Sequence, residues 1–460
     1  MKLHLLLLLC YVSTSISYFL NFKFGNPFKV RDTKINIPLP DKTRERIEDV
    51  SGFYGLIGPN VNMMNVTSLF QMFMGDGTIQ GVFFDQGNVT YVQHHIQTEK
   101  LKYEQKNGKI PKNPFVFALF LVFSKLRLLP NHLGLANTAL LHTNNNNTYA
   151  LYERDLPYQL DIDYTTNEIH TIKRNYLPHI RSFSGHTKYR NKMIETIDYD
   201  VMSQSVDYYI FSEDLKEQYK KRIKTNYMPV IHDFVSNNNT ILLTDVPIIM
   251  DFTQVIKTTL PVRFDKTKPS YIHVLDKNTG NLVTYVYDKG IYMFHHSHTV
   301  EDDTNIYLYT CVYDDFNYMS IDIKASYRCI VLNKISKKVS VIRNEETEKY
   351  NLDFPVIYKN KTVLRNLVKI EDGFRINGFV LCDGLNIEKK YIYQDISFCG
   401  GDPNIVEING NPHICSFAYS TDFKKNYFCF IPLHDEEPIF IDLPIKTNVG
   451  FHSIFINNHK

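Results

Sequence analysis

Gln80-Gly-Val-Phe-Phe-Asp-Gln-Gly87 runs straight into Asn88-Val-Thr-Tyr-Val-Gln93. Two bursts of β-branched and aromatic residues flank a turn that ends in glycine, so the segment reads as a β-hairpin. The pattern returns down the chain. Tyr271-Ile-His-Val-Leu275 and Leu282-Val-Thr-Tyr-Val-Tyr287 flank Asp276-Lys-Asn-Thr-Gly-Asn281, and Asn305-Ile-Tyr-Leu-Tyr-Thr-Cys-Val-Tyr313 is a further strand. Short, evenly spaced strands throughout predict an all-β propeller, sandwich or barrel. No exact repeat sets a blade number. No linker or composition break divides the body, which reads as one domain over residues 18–460.

Bulk properties agree. The chain has 460 residues, 43% of them hydrophobic, enough for a large core; Tyr and Phe number 31 each and Trp is absent. The net charge is +2 with Lys and Arg dispersed, which excludes a basic footprint for nucleic acid.

The N-terminus reads as a targeting segment. A weakly basic start precedes an apolar run from Leu5 to Val12, then small residues up to Ser17. Residues 1–17 are expected to be a signal peptide or, uncleaved, an anchor. Either places the body in the secretory lumen or outside the cell. Asn65, Asn88, Asn146, Asn238 and Asn360 each open an Asn-x-Thr triplet, the acceptor pattern of a secreted glycoprotein. Cys311, Cys329, Cys382, Cys399, Cys415 and Cys429 all fall in the last third. They can pair as disulfides or pack as buried free thiols. One stretch, from Phe115 to Leu129, is apolar nearly all round and too short to cross a bilayer as a helix. It is either a buried helix or a segment that dips into one leaflet.

Candidate chemistry lies in histidine. Four of the 17 sit in strand-like apolar surroundings beside turn residues: His186, His232, His295 and His452. No short metal motif links them, so as ligands they would have to converge from different strands. Imidazole suits iron, copper and zinc alike.

The chain resembles the carotenoid cleavage oxygenase family from about residue 34 to the C-terminus. Ser51-Gly-Phe-Tyr-Gly-Leu-Ile-Gly-Pro-Asn60 is similar to the entry motif GxYxRNGPN, and Phe73-Met-Gly-Asp-Gly-Thr-Ile79 to WFDGDGM. Ala136-Asn-Thr138 resembles ANT, and Ala150-Leu-Tyr-Glu-Arg-Asp-Leu-Pro-Tyr158 the EDDLPY-type segment. Ile231-His-Asp-Phe234 resembles MHDF, Phe294-His-His-Ser-His-Thr-Val-Glu-Asp302 is similar to FHHxNAYED, and Val449-Gly-Phe-His-Ser453 to the closing GFHG. The resemblance implies a seven-bladed β-propeller with a few helices capping one face. It implies one Fe(2+) held by His186, His232, His295 and His452, with Glu153, Asp353 and Asp402 accepting hydrogen bonds from ligand imidazoles. Thr138 matches a residue that crowds one open coordination position. The implied reaction is dioxygenase cleavage of a conjugated C=C bond in a carotenoid or apocarotenoid, with O2 and a lipophilic polyene as partners.

The resemblance gives the 115–129 stretch a further reading. Phe115, Phe117, Phe120 and Phe123 would form a peripheral membrane contact and substrate entry. Departures bear on activity. Asp353 and Asp402 stand where Glu is usual, His298 where Asn is usual, and His296 beside His295 leaves two candidates for one ligand. Met74, Gln80 and Thr187 also depart from the pattern. Related chemistries, stilbene cleavage or retinyl-ester isomerisation, share these ligands. A catalytically silent secreted propeller that binds an isoprenoid or a partner is the reading from another class.

Overall fold

In the computed structural model the described residues are 31–61, 66, 68–108, 134–200, 203–251, 262–371 and 373–458. The expected leader over 1–17, Asn65, and Phe115, Phe117, Phe120 and Phe123 lie outside them. Two compact units are formed, one from residues 1–30 with 97–134, the other from 31–96 with 135–460. In the first, the helix Glu99–Asn107 starts at Thr98, whose hydroxyl accepts the Leu101 amide at 3.1 Å. It ends at Gly108, where φ is +97°.

The second unit is a β-propeller. The hairpin at Asp76–Asp85 and Asn88–His95 forms as the sequence dictates, with Gln86 and Gly87 both at positive φ, the two-residue turn that matches strand twist. It joins Thr33–Ile37, Gly52–Asn60 and the last strand, His452–Asn457, in blade 1. Blade 2 holds Ala139–His142, Thr148–Leu151, Tyr158–Asp163 and Glu168–Arg174. Blade 3 runs from Lys188–Arg190 to Glu217–Lys224, and blade 4 from Val235–Ser236 to Leu282–Tyr287. Blade 5 runs from Tyr292–Glu301 to Val339–Ile342, and blade 6 from Leu352–Tyr358 to Asn386–Ile392. Blade 7 holds Asn404–Ile408, Asn411–Ser420, Asn426–Pro432 and Ile439–Leu443, and the short strand Ile396–Phe398 links it to blade 6.

Outer strands carry the charge. Glu217–Lys224 reads Glu-Gln-Tyr-Lys-Lys-Arg-Ile-Lys and is mostly exposed, which blunts an open sheet edge. Between blades the packing is aromatic. Tyr54 of blade 1 meets Phe417 and Phe428 of blade 7 edge-on, at 5.5 and 5.1 Å between ring centres. Polar staples cross the same seams. Lys277 of blade 4 bonds both carboxylate oxygens of Glu195 in blade 3 at 2.8 Å. All six cysteines among the described residues are buried free thiols.

The ring closes where blade 7 meets blade 1. The Gly450 amide donates to the Cys399 carbonyl at 2.7 Å, and the Phe451 amide to the Ile57 carbonyl at 2.8 Å. This needs bare backbone: a Cβ on Gly58 would sit 2.5 Å from the Gly450 Cα. Gly58→Ala is therefore expected to force the closing strand away and to cost about 1–3 kcal/mol. The check is a lowered unfolding midpoint against an alanine substitution at the exposed turn residue Glu345.

Candidate metal centre

The first strands of successive blades pack beside one another around the centre, and each presents one site residue near its start. Blade 1 gives His452 and blade 2 Thr138; His186 and His232 precede the first strands of blades 3 and 4. His295 lies in the first strand of blade 5 and Asp353 in that of blade 6, while Asp402 precedes the first strand of blade 7. The seven-fold layout thus brings together residues from distant parts of the sequence. Glu153 reaches in from the turn that follows Thr148–Leu151.

One nitrogen from each of the four histidines lies within 4.8 Å of the others. His186 Nε2 is 3.0 Å from His232 Nε2. The remote nitrogens are held from behind. His232 Nδ1 bonds Glu153 Oε1, His295 Nδ1 bonds Asp353 at 2.8 Å, and His452 Nδ1 bonds Asp402 at 3.1 Å. Asp353 and Asp402 bridge the gap in spite of a side chain one methylene short of Glu. Both are anchored themselves: Asp353 takes the Phe354 amide at 2.9 Å and the Tyr313 hydroxyl, and Asp402 takes the Ser453 amide at 2.9 Å. His186 has no such partner; its nearest carboxylate, Asp233, is 3.9 Å away and bonded to Lys188.

Charge follows geometry. Burial works against ionisation of Glu153, Asp353 and Asp402, but the imidazole beside each, aided by its hydrogen bonds, outweighs it and holds each carboxyl below its usual range. Each is an acceptor, so the facing Nδ1 carries the proton and Nε2 keeps its lone pair. Burial and the three neighbouring rings push His186 well below the usual imidazole value, so it is neutral. His295 Nε2 is buried and has no hydrogen-bond partner. An unsatisfied buried nitrogen costs free energy unless something takes its lone pair. Four imidazoles converging on one point, with His295 Nε2 left without a partner, fit a divalent metal ion.

Several site residues escaped the sequence reading. Phe354, at φ +57°, lays its ring against His295 and His452, at 4.2 and 4.8 Å between centres. The Arg365 guanidinium lies 3.4 Å from the centre of the same ring, a cation–π contact that helps to hold Phe354 in place. Adjacency to Asp353 was a signal for Phe354; Arg365 had none. Thr138 packs beside the first ligand, since a Cβ on Gly185 would lie 2.5 Å from Thr138 Cγ2.

The departures from pattern have structural places. Gln80 bonds Asn448, ahead of His452. The Thr187 hydroxyl donates to the Ser184 carbonyl at 2.8 Å. His298 stacks on Tyr309 at 4.6 Å and is no part of the cluster.

The choice between His295 and His296 is settled by direction. His296 points away, with Nδ1 on Thr310 at 2.9 Å and its amide on Asp233. His295→Ala is expected to lose bound metal and His296→Gln to keep it, read by elemental analysis of folded protein. Asp402→Asn should weaken metal affinity about 10- to 100-fold, measured by chelator competition.

Known proteins match this architecture. The family model described as retinal pigment epithelial membrane protein matches residues 48–367. A carotenoid 9,10(9',10')-cleavage dioxygenase of Pisum sativum is 26% identical, covering 94% of this chain and 87% of its own length. The Crocus sativus enzyme of that name is 23% identical over 90% of this chain and 85% of its own. Among solved structures, a Glu-to-Asp variant of Synechocystis apocarotenoid oxygenase superposes with a TM-score of 0.75 at 15% identity, covering 94% of this chain and 97% of that one. The cobalt-substituted form of that oxygenase gives 0.74 at 15% identity, over 95% and 98%. The family match spans well over half of the chain and takes in His186, His232 and His295, with His452 beyond its end: the chain belongs to the carotenoid cleavage oxygenase family, that of the retinal pigment epithelial membrane protein.

Proposed function

We propose that this chain is a non-haem Fe(II) dioxygenase that cleaves a conjugated C=C bond of a carotenoid or apocarotenoid with O2, giving two carbonyl products. The observation that carries the reading is the convergence of four imidazoles, three of them braced by carboxylates. Relatives named as carotenoid cleavage dioxygenases, aligned over nine-tenths of the chain, support the substrate class. Imidazole alone does not choose the metal, but consumption of O2 favours iron over zinc, which has no redox chemistry.

His186, His232, His295 and His452 would hold the ion, and bound Fe(II) would supply the activation of O2. The chain's own residues orient and exclude. Glu153, Asp353 and Asp402 keep three rings in the tautomer that faces inward. Phe294, 5.1 Å from the His232 ring, and Phe354 give the site apolar walls that suit a polyene and shed water. Thr138 narrows the space beside His186. No protein group is asked to donate or abstract a proton.

The test is restoration. Metal-stripped protein, given Fe(II), an apocarotenoid aldehyde and 18O2, is expected to yield two carbonyl fragments carrying the label. His232→Ala should yield none. Folded, iron-loaded protein that cleaves no carotenoid, apocarotenoid or stilbene would sink the reading and leave a silent binder.

We also place the chain in the secretory pathway, on its apolar leader and on the exposure of Asn88, Asn146, Asn238 and Asn360. Glycosidase treatment of protein from a eukaryotic host is expected to increase its gel mobility. No mobility change would argue against that route.

A further inference from the structure

Phe354 is held in a conformation that its side chain resists. Its φ is +57°, in the left-handed region that a bulky residue rarely enters. The reason lies in what this strand presents to the site. In a regular strand, neighbouring side chains face opposite sides. Here Asp353 accepts the His295 Nδ1–H at 2.8 Å. The next side chain, Phe354, also meets that ligand: its ring lies 4.2 Å from the His295 ring and 4.8 Å from that of His452, centre to centre. The pairing of Leu352–Tyr358 with Lys361–Ile370 slips between Asp353 and Val356. The slip, with the positive φ, brings both side chains to the ligands. Such strain persists only where the surroundings over-determine it.

Arg365 supplies that hold. It stands directly opposite Asp353 across the same pair of strands, and opposed residues project to one side of a sheet. Its guanidinium lies 3.4 Å from the centre of the Phe354 ring. Nη1 reaches on toward blade 7 and donates a long hydrogen bond, 3.4 Å, to the Gly401 carbonyl. Gly401 precedes Asp402, whose carboxylate accepts the His452 Nδ1–H at 3.1 Å. One cation thus touches the ring that leans on two ligands and the loop that braces one of them. Those two ligands come from blades 5 and 1, and their rings are inclined at 70° with centres 5.2 Å apart. A bracing carboxylate fixes one ring. The contact through Phe354 fixes two rings relative to each other.

We propose that Arg365 is a positioning residue of the metal centre. By pressing on Phe354 and holding the Gly401 carbonyl, it fixes the inclination of the His295 and His452 rings, and so sets the metal affinity and the ligand field of the site. This rests on the reading of the four histidines as metal ligands.

The experiment is Co(II) binding to the full, metal-stripped chain, followed by chelator competition and by the visible d–d absorption that reports ligand geometry. Arg365→Met keeps much of the bulk and removes the charge and the donors. It is expected to weaken Co(II) binding about tenfold or more and to shift the absorption band. Arg365→Lys keeps the charge without the flat fork and should recover only part of the affinity. Full recovery would mean that charge alone is needed, and overturns the positioning role. Phe354→Leu should give similar losses, and adding it to Arg365→Met should cost little more, because the two side chains act as one element. A purely structural role would lower the unfolding midpoint of the metal-free protein and leave the band where it is. Wild-type affinity with an unchanged band in Arg365→Met overturns the proposal, and so do losses that simply add to those of Phe354→Leu. If Arg365→Met does not fold, Phe354→Leu carries the test: weaker binding with a shifted band supports the proposal, and wild-type binding overturns it. A wild-type chain that takes up no Co(II) would sink the metal-centre reading itself. Uptake that is indifferent to Arg365 would sink only this inference.

Discussion

The hydrogen bond from an imidazole Nδ1–H to a buried carboxylate is the constraint on which this site depends. Four imidazoles turned to one point is an arrangement that a dry interior resists. Three of the rings are held at the back, which keeps a proton there and turns the other nitrogen inward; His186 has no such hold. Asp353 and Asp402 do this from blades 6 and 7, and Glu153 from blade 2, so the propeller's seven-fold layout is what lets support and ligand come from different blades. The supports need supports of their own, hence the Tyr313 hydroxyl and the Phe354 and Ser453 amides.

Charge balance follows from the same bonds. Three carboxylates stand behind the four rings, with the Arg365 cation acting on Asp353 and Asp402 and Arg154 on Glu153. A divalent metal ion held by the rings would add positive charge in front of them. Its binding would be favoured by the field of the carboxylates as well as by the four nitrogens.

Much of this was legible in the sequence, for physical reasons. Strands such as Asn305–Tyr313 and the Gln86-Gly87 turn announce themselves through local alternation and through a backbone that needs positive φ. Blade number was not legible from periodicity, because blades of unequal strand length share no repeat. Strand-like surroundings singled out the four histidines, but only likeness to a family made them one site, since convergence around an axis leaves no short motif. Parity could not separate His295 from His296: the pairing of Tyr292–Glu301 with its neighbour slips at bulges on either side of His296, which breaks the simple in–out alternation. Arg365 was invisible because it gains its meaning from Phe354 and Asp402, which only the fold brings to it.

The closing strand has a consequence for assembly. His452 opens the strand His452–Asn457, which follows every blade in the chain and pairs back onto Gly52–Asn60. During synthesis the ligand set therefore stays one short until the last blade has been made and the ring has shut. Metal cannot act as a seed for this fold as zinc does for a small finger domain. An ion held by these four rings would enter as a keystone, and would have to be released before the first and last strands could part.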